Sequence, residues 1–274
     1  MAGRISVVKD GPLVSVTLDH PGKFNAMSRD MWRALKTVFE EIQGAPDARC
    51  VVIRGVDEHF CAGGDIAEYP GFRFDARELE RFHEDEVWGG LQAMLDCDVP
   101  IVAQIEGNCM GAGVEIASCC DLRIASTAAR FGAPIARLGF PMAPREAALV
   151  AQAVGHTTAR AMLLAAEVFD AQHMQARDFL LHVLAPEDLA PYTLQLAQRI
   201  AALAPQAARM NKQTFRVLNR PLTQAGYAQA APELIAAAVF QTAVSPPNPC
   251  YAYADTAEHR EGIHAFLAKR KPNF

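Results

Sequence analysis

Apolar, β-branched runs at Ile5-Ser6-Val7-Val8 and Val14-Ser15-Val16-Thr17-Leu18 flank Asp10-Gly11-Pro12, and the pattern predicts an amino-terminal β-hairpin. Ser28 then precedes a stretch of helical period that runs to about Gln43 and meets Gly44, which predicts a helix with a serine cap and a glycine stop. Two continuous apolar runs, Cys50-Val51-Val52-Ile53 and Pro100-Ile101-Val102-Ala103-Gln104-Ile105, read as strands. Between them Leu79, Phe82, Val87, Leu91, Met94 and Leu95 share a helical stripe that Pro100 ends. A helix around Glu115–Ala117 and a strand over Asp121–Ala125 follow. This strand–helix alternation predicts an α/β fold. After about Pro144 Ala-rich helical patterns take over. Phe179–Leu184 is one weak strand among them, and Pro205, Pro221, Pro232 and Pro246-Pro247 punctuate them. No linker, repeat or low-complexity tract interrupts the chain, so an α/β core with a helical C-terminal layer is expected.

Two glycine-rich turns stand out against this frame. His59-Phe60-Cys61-Ala62-Gly63-Gly64-Asp65 follows the first apolar run, and Gly107-Asn108-Cys109-Met110-Gly111-Ala112-Gly113-Val114-Glu115 follows the second. Each leads toward a helix. Glycine permits φ > 0 and a close approach of ligand to main chain, and free N–H groups at a helix start carry partial positive charge. Two such turns can aim two N–H groups at one oxygen and form an oxyanion hole. Each taken alone is more readily an ordinary strand-to-helix turn. The pair, with an acid after each, points to chemistry.

Composition narrows the classes. Half of the 274 residues are hydrophobic (51%), enough for a sizeable core, and the net charge of −5 gives no basic surplus for nucleic acid. Lys269-Arg270-Lys271 is a short basic run, read as a solvated tail or a local phosphate contact. No apolar stretch approaches the ~20 residues needed to span a bilayer, and Met1–Ile5 has no signal-peptide pattern. The seven cysteines include no Cys-x-x-Cys pair. No metal site is expected, and free thiols in a reducing cytoplasm fit best.

His20-Pro21-Gly22-Lys23-Phe24-Asn25-Ala26-Met27-Ser28, Phe60 to Asp65, Gly107 to Glu115 with Cys120-Asp121-Leu122, Ala129-Arg130-Phe131-Gly132-Ala133-Pro134 with Leu138-Gly139, and Glu261 to Pro272 occur in the order and spacing of the crotonase superfamily, the enoyl-CoA hydratase/isomerase family. Any one of these motifs is weak, but five in order over nearly the whole chain are specific. The resemblance implies a spiral of ββα turns over residues 1–200, carrying the active site, and a C-terminal helical region over 201–274 that drives formation of a homotrimer or homohexamer. It also implies an acyl-CoA thioester as substrate, with coenzyme A as part of the substrate and no separate cofactor. On the family pattern Gly64 and Ala112 supply the two N–H donors. Lys23, Ala26, Ala62 and Ile66 line the coenzyme A path, and Glu115 is a catalytic carboxylate. The physical logic agrees. A thioester carbonyl that becomes an enolate gains negative charge on oxygen, which two fixed N–H groups stabilise, while a carboxylate near Cα or Cβ moves a proton or activates water.

One position departs from the pattern. Hydratases of this family carry a second glutamate directly after the proline of the Phe-Gly-x-Pro stretch, and here that position is Ile135. Hydration or dehydration by two carboxylates is therefore put in question, and a poor hydratase on short straight-chain substrates is expected. Isomerisation by Glu115 alone and non-catalytic acyl-CoA binding stand as alternatives. His83-Glu84-Asp85-Glu86 reads as a solvated helix face, with His83 or Glu86 as a possible substitute acid and Glu146 as a later one. Arg145 next to Glu146 reads as an ion pair, and Asp65 as a helix cap. A different class, a cysteine-dependent α/β-hydrolase, is suggested by Gly107-Asn108-Cys109-Met110-Gly111, with Asp170 and His173 as partners.

Overall fold

The computed structural model describes residues 2–216 and 254–273. Strands β1 (Arg4–Asp10) and β2 (Leu13–Asp19) form the expected hairpin, paired from Arg4 opposite Asp19 to Asp10 opposite Leu13. Helix α1 (Arg29–Gln43) starts at Ser28, whose Oγ accepts the Met31 N–H at 3.2 Å, and stops at Gly44. The stop is not a left-handed one, since Gly44 keeps φ −77°. Strands β3 (Cys50–Gly55) and β4 (Ile101–Ile105) flank helices α2 (Ala76–Arg81) and α3 (Trp88–Asp96). Next come β5 (Asn108–Met110), α4 (Ala112–Ser118), β6 (Leu122–Ser126) and β7 (Arg130–Gly132). Helices α5 (Pro144–Val154) and α6 (His156–Leu164), β8 (Val168–Asp170), α7 (Ala171–Ala176), β9 (His182–Leu184) and α8 (Pro186–Ala201) complete the spiral.

The main sheet has the order β1-β2-β3-β4-β6-β9 and is parallel from β2 onward. A parallel sheet must be covered on both faces. Leu189, Leu196 and Ala197 of α8 pack on Cys50, Val102 and Ile124 on one side, while the principal core, with α1, α3 and α4, fills the other. A second small sheet, β5-β7-β8, was not expected from the sequence, because its three-residue strands are too short to show a period. Of the weak strand Phe179–Leu184 only His182–Leu184 is extended.

The stripe helix carries a surprise of register. Helices α2 and α3 are joined by one wide π-type turn over Phe82–Val87. The extra residue in that turn rotates His83 and Glu86 inward, and both are buried, against the expectation of a solvated face. The step of five from Phe82 to Val87 in the apolar stripe was the sign of it.

The C-terminal part returns to the core. The helical segment 205–216 is tied back by Lys212 to Asp121 (2.8 Å) and Arg216 to Asp98 (2.6 Å). The closing helix (Ala257–Leu267) packs on a short 3-10 turn at Ile135–Leu138 and sends Ile263 into the principal core. Pro221, Pro232 and Pro246-Pro247 lie outside the described residues. Among the described residues no helix is long and apolar enough to cross a membrane.

Candidate active site

The two glycine turns are in direct contact. Cys61 and Cys109 form a parallel bridge, with the Cys61 N–H donating to Asn108 (2.8 Å) and the Met110 N–H to Cys61 (2.9 Å). Gly63 has φ +113° and Gly111 φ +46°, conformations that side chains disfavour. A methyl built on Gly111 would lie 3.7 Å from the Gly63 Cα. Met27 clamps the first turn from behind. Its N–H donates to the Gly63 carbonyl and its carbonyl accepts from Asp65, both at 2.8 Å. A parallel bridge of this kind leaves the N–H of the middle residue, Gly64, turned to the opposite side. Ala112 opens α4, so its N–H has no partner within the helix. Among the described residues neither N–H has a protein acceptor.

Glu115 follows one turn into α4 and is 6% exposed. Burial first, and then the neighbouring carboxyl of Glu146, push its carboxyl well above the usual range, while Arg73 pulls it down. Glu146 occupies the third position of α5, in phase with the inward residues Leu149, Val150 and Val154. It is 3% exposed, and burial raises its carboxyl to about 8 against the pull of Arg73. An acid on the apolar stripe of a helix was the available signal, and register relative to the family motif hid it. Glu146 bonds His83, whose Nδ1 lies 2.7 Å from Oε1. Arg73, 1% exposed, contacts His83 Nε2 (3.3 Å) and His259 Nε2 (3.4 Å) and lies over the rings of Tyr69 (4.4 Å) and Phe140 (4.0 Å). Neither Arg73 nor His259 was singled out from the sequence, because they come from opposite ends of the chain.

Other candidates find different employment. Glu86 is no substitute acid, because Arg29 binds it through two nitrogens (2.5 and 2.8 Å) and Arg33 through a third (2.9 Å). Arg145 pairs with Glu84 at 3.2 Å rather than with Glu146. Asp65 caps the short 3-10 helix Ile66–Gly71 through the Ala67 N–H and also holds Lys23 Nζ at 2.5 Å. That pair and the bond from Ala62 N–H to the Phe24 carbonyl (3.0 Å) hold the Lys23–Ala26 stretch against the first turn, whose Asp65 precedes Ile66. Ile135 starts the 3-10 turn and packs against the core. Cys109 is fully buried, and burial drives its thiol well above the usual range. Its supposed partners are spent elsewhere, with Asp170 capping α7 and His173 stacked on Phe169 at 4.2 Å. The six described cysteines are all free and buried, and no cluster of metal-ligating side chains occurs among the described residues.

Comparison with known proteins places this architecture. The enoyl-CoA hydratase/isomerase family pattern matches residues 9–274. The 2,3-dehydroadipyl-CoA hydratase of Escherichia coli is 30% identical over 274 residues, covering 99% of this chain and 98% of that protein. The putative enoyl-CoA hydratase/isomerase YngF of Bacillus subtilis is 29% identical over 273 residues, covering 96% and 95%. Among solved structures, an enoyl-CoA hydratase/carnithine racemase from Magnetospirillum magneticum shares 30% identity at a TM-score of 0.75, covering 98% of this chain and 94% of that one. A methylmalonyl-CoA decarboxylase in complex with 2-nitronate-propionyl-CoA superposes with TM-score 0.80 at 25% identity, covering 99% and 98%. With the glycine turns in contact, a buried acid on the helix that the second turn opens and a match that runs from residue 9 to residue 274, the chain belongs to the enoyl-CoA hydratase/isomerase family, the crotonase superfamily.

Proposed function

We propose that the protein is an enzyme acting on an acyl-CoA thioester through an enolate, and that its reaction is hydration of an enoyl-CoA or the reverse. The observation that carries this reading is the contact between the two glycine turns, which turns the Gly64 and Ala112 N–H groups out of the protein's own hydrogen bonding beside the buried Glu115. The thioester oxygen sits between those donors, and negative charge developing on it is stabilised most in the transition state. Glu115 shares a rigid helix with one donor and moves the proton. Coenzyme A lies along the edge lined by Lys23, Ala26, Ala62 and Ile66, and no further cofactor is required.

Double-bond isomerisation by Glu115 is the second reading, favoured by Ile135 at the position where hydratases of the family carry an acid. Turnover of a panel of straight and branched 2- and 3-enoyl-CoA thioesters decides between them, since one reaction yields a hydroxyacyl product and the other a shifted double bond. No turnover of any of them returns the protein to an acyl-CoA binder. The hole is tested by Ala112→Pro. Proline fits the first position of a helix and replaces the N–H by a ring methylene, so kcat/KM is expected to fall by at least about 10²–10³ with little change in melting. We also infer a cytoplasmic homotrimer or homohexamer. Leu194, Leu203, Met210 and Phe215 are large, apolar and exposed on the C-terminal helical layer, and light scattering reads the mass.

A further inference from the structure

Glu146 is held by more than packing. It is the third residue of α5, and the Ala143 N–H bonds it, as the residue before a helix often does with an acid at this position. His83 reaches it from the wide turn between α2 and α3, with Nδ1 2.7 Å from Oε1. The chemistry of Arg73 fixes what His83 contributes. A guanidinium has only donors, so the His83 Nε2 that faces it at 3.3 Å must accept. The ring proton is therefore on Nδ1 and points at Glu146. His259 is fixed in the same way, with Nε2 toward Arg73 (3.4 Å) and Nδ1 donating to the Ala254 carbonyl (2.8 Å). Burial keeps both rings uncharged, His259 falling to about 4 and His83 well below its usual value. Helix α4 packs against α5, which sets Glu146 close enough to Glu115 that its charge raises the Glu115 carboxyl.

We propose that Glu146 is the second catalytic carboxyl of this site, acting with Glu115 in place of the acid missing at Ile135, and that His83 is a positioning residue that orients it. This rests on the acyl-CoA reading above. Burial raises the Glu146 carboxyl to about 8 against the pull of Arg73 and the donors from His83 and Ala143, so Glu146 becomes the base as pH climbs toward that value. Glu115, faced by burial and by that charge, keeps the proton. Hydration then balances without any further reactant. Glu146 takes a proton from water as the water oxygen bonds to Cβ. The electrons of the double bond move through Cα and the carbonyl carbon to the thioester oxygen. The enolate collapses, and Cα takes the proton of Glu115. Water has been added across the double bond, and transfer of one proton from Glu146 to Glu115 restores the start.

The test is hydration of a panel of 2-enoyl-CoA thioesters as a function of pH, by the wild type and by Glu115→Gln, Glu146→Gln, His83→Phe and His83→Gln. Glu146→Gln is expected to lower kcat by about 10²–10⁴ with little effect on KM, and to erase the acid limb of the pH profile. His83→Phe removes a donor from the carboxylate and moves that limb to higher pH; His83→Gln, whose amide donates, moves it less. A merely structural Glu146 leaves the limb where it was. Wild-type turnover in Glu146→Gln beside a loss in Glu115→Gln overturns the inference and leaves the acyl-CoA reading standing. A wild type inactive on every thioester, or a fully active Glu115→Gln, overturns both. Should Glu146→Gln fail to fold, the His83 variants decide, and an acid limb unmoved in both refutes the pairing.

Discussion

The glycine turns and the acid cluster meet at α4, yet they are built in opposite ways. The turns are backbone. Two short stretches of sequence, 61–65 and 108–113, lie side by side and need only glycine at the few points where the main chain bends left-handed or comes too close for a side chain. The acid cluster is side chains. Arg73, His83, Glu115, Glu146 and His259 come from five separate places in the chain, and each is defined by what the others do to it. A backbone device is rigid and tolerates no side chain where its φ is positive or the facing main chain is too close. A side-chain cluster tolerates substitutions of like shape but is sensitive to charge. Four outcomes would break or sharpen that contrast.

The largest effect is expected at the contact of the turns. A methyl on Gly113 would lie 2.6 Å from the Cys61 carbonyl oxygen, a backbone atom that cannot swing away. Gly113→Ala should therefore destabilise by about 1–3 kcal/mol despite alanine's better helix propensity. Gly89→Ala in α3, where the nearest atom is Cδ of the flexible Lys36 side chain at 3.5 Å, should be neutral or mildly stabilising. Denaturant melts of the two variants check this, and equal effects would mean the turns have room to adjust.

Next in size is the pH dependence of Glu146. Its carboxyl titrates near 8 when folded, against a usual 4.5, so the folded protein keeps a proton that the unfolded chain has lost. Its contribution to stability is full below pH 4.5 and is lost as pH rises toward about 8, at up to about 1.4 kcal/mol per pH unit. The histidines have the opposite sign. Their stabilising contribution is present above their usual 6.5 and is lost as pH falls, for His259 toward about 4. Above pH 6.5 the carboxyls dominate, so the stability of Glu146→Gln relative to wild type should grow between pH 6.5 and 8. Parallel curves in that window would show that Glu146 is already ionised.

Lys23→Ala should raise KM for the thioester a few-fold while changing stability by less than about 1 kcal/mol. The lysine is half exposed, and its pair with Asp65 is partly screened. Steady-state kinetics separates the two effects. Smallest is Ile135→Glu. Ile135 stands where the family's hydratases carry an acid, so restoring that acid would raise hydration if the site lacked a second carboxyl. With Glu146 beside Glu115, no gain is expected, and a clear increase in kcat would show that the pair is incomplete.

The comparison also explains what could be read early. The hairpin, the capped helix α1, the strands β3, β4 and β6 and both glycine turns follow from local rules of period, capping and φ, which act over a few residues and leave a mark in the chain. Glu115 was found because it lies on the same short segment as the second turn. Glu146 was seen only as a late candidate, and its bond to His83 was not seen at all. One reason is the wide turn at Phe82–Val87, which turned an apparently solvated His83 inward. The other is α5, which brings its third residue under a helix from another part of the spiral.

The sequence by itself determined the family, the α/β alternation, the backbone turns and one acid, because each is specified by neighbours in the chain. Tertiary structure alone decided which of several acids are buried together, which histidine nitrogen carries the proton, and that Arg73 and His259 belong to the site. Those properties depend on burial, on charge at a distance and on hydrogen-bond partners supplied by elements far apart in sequence, and none of the three is a local quantity.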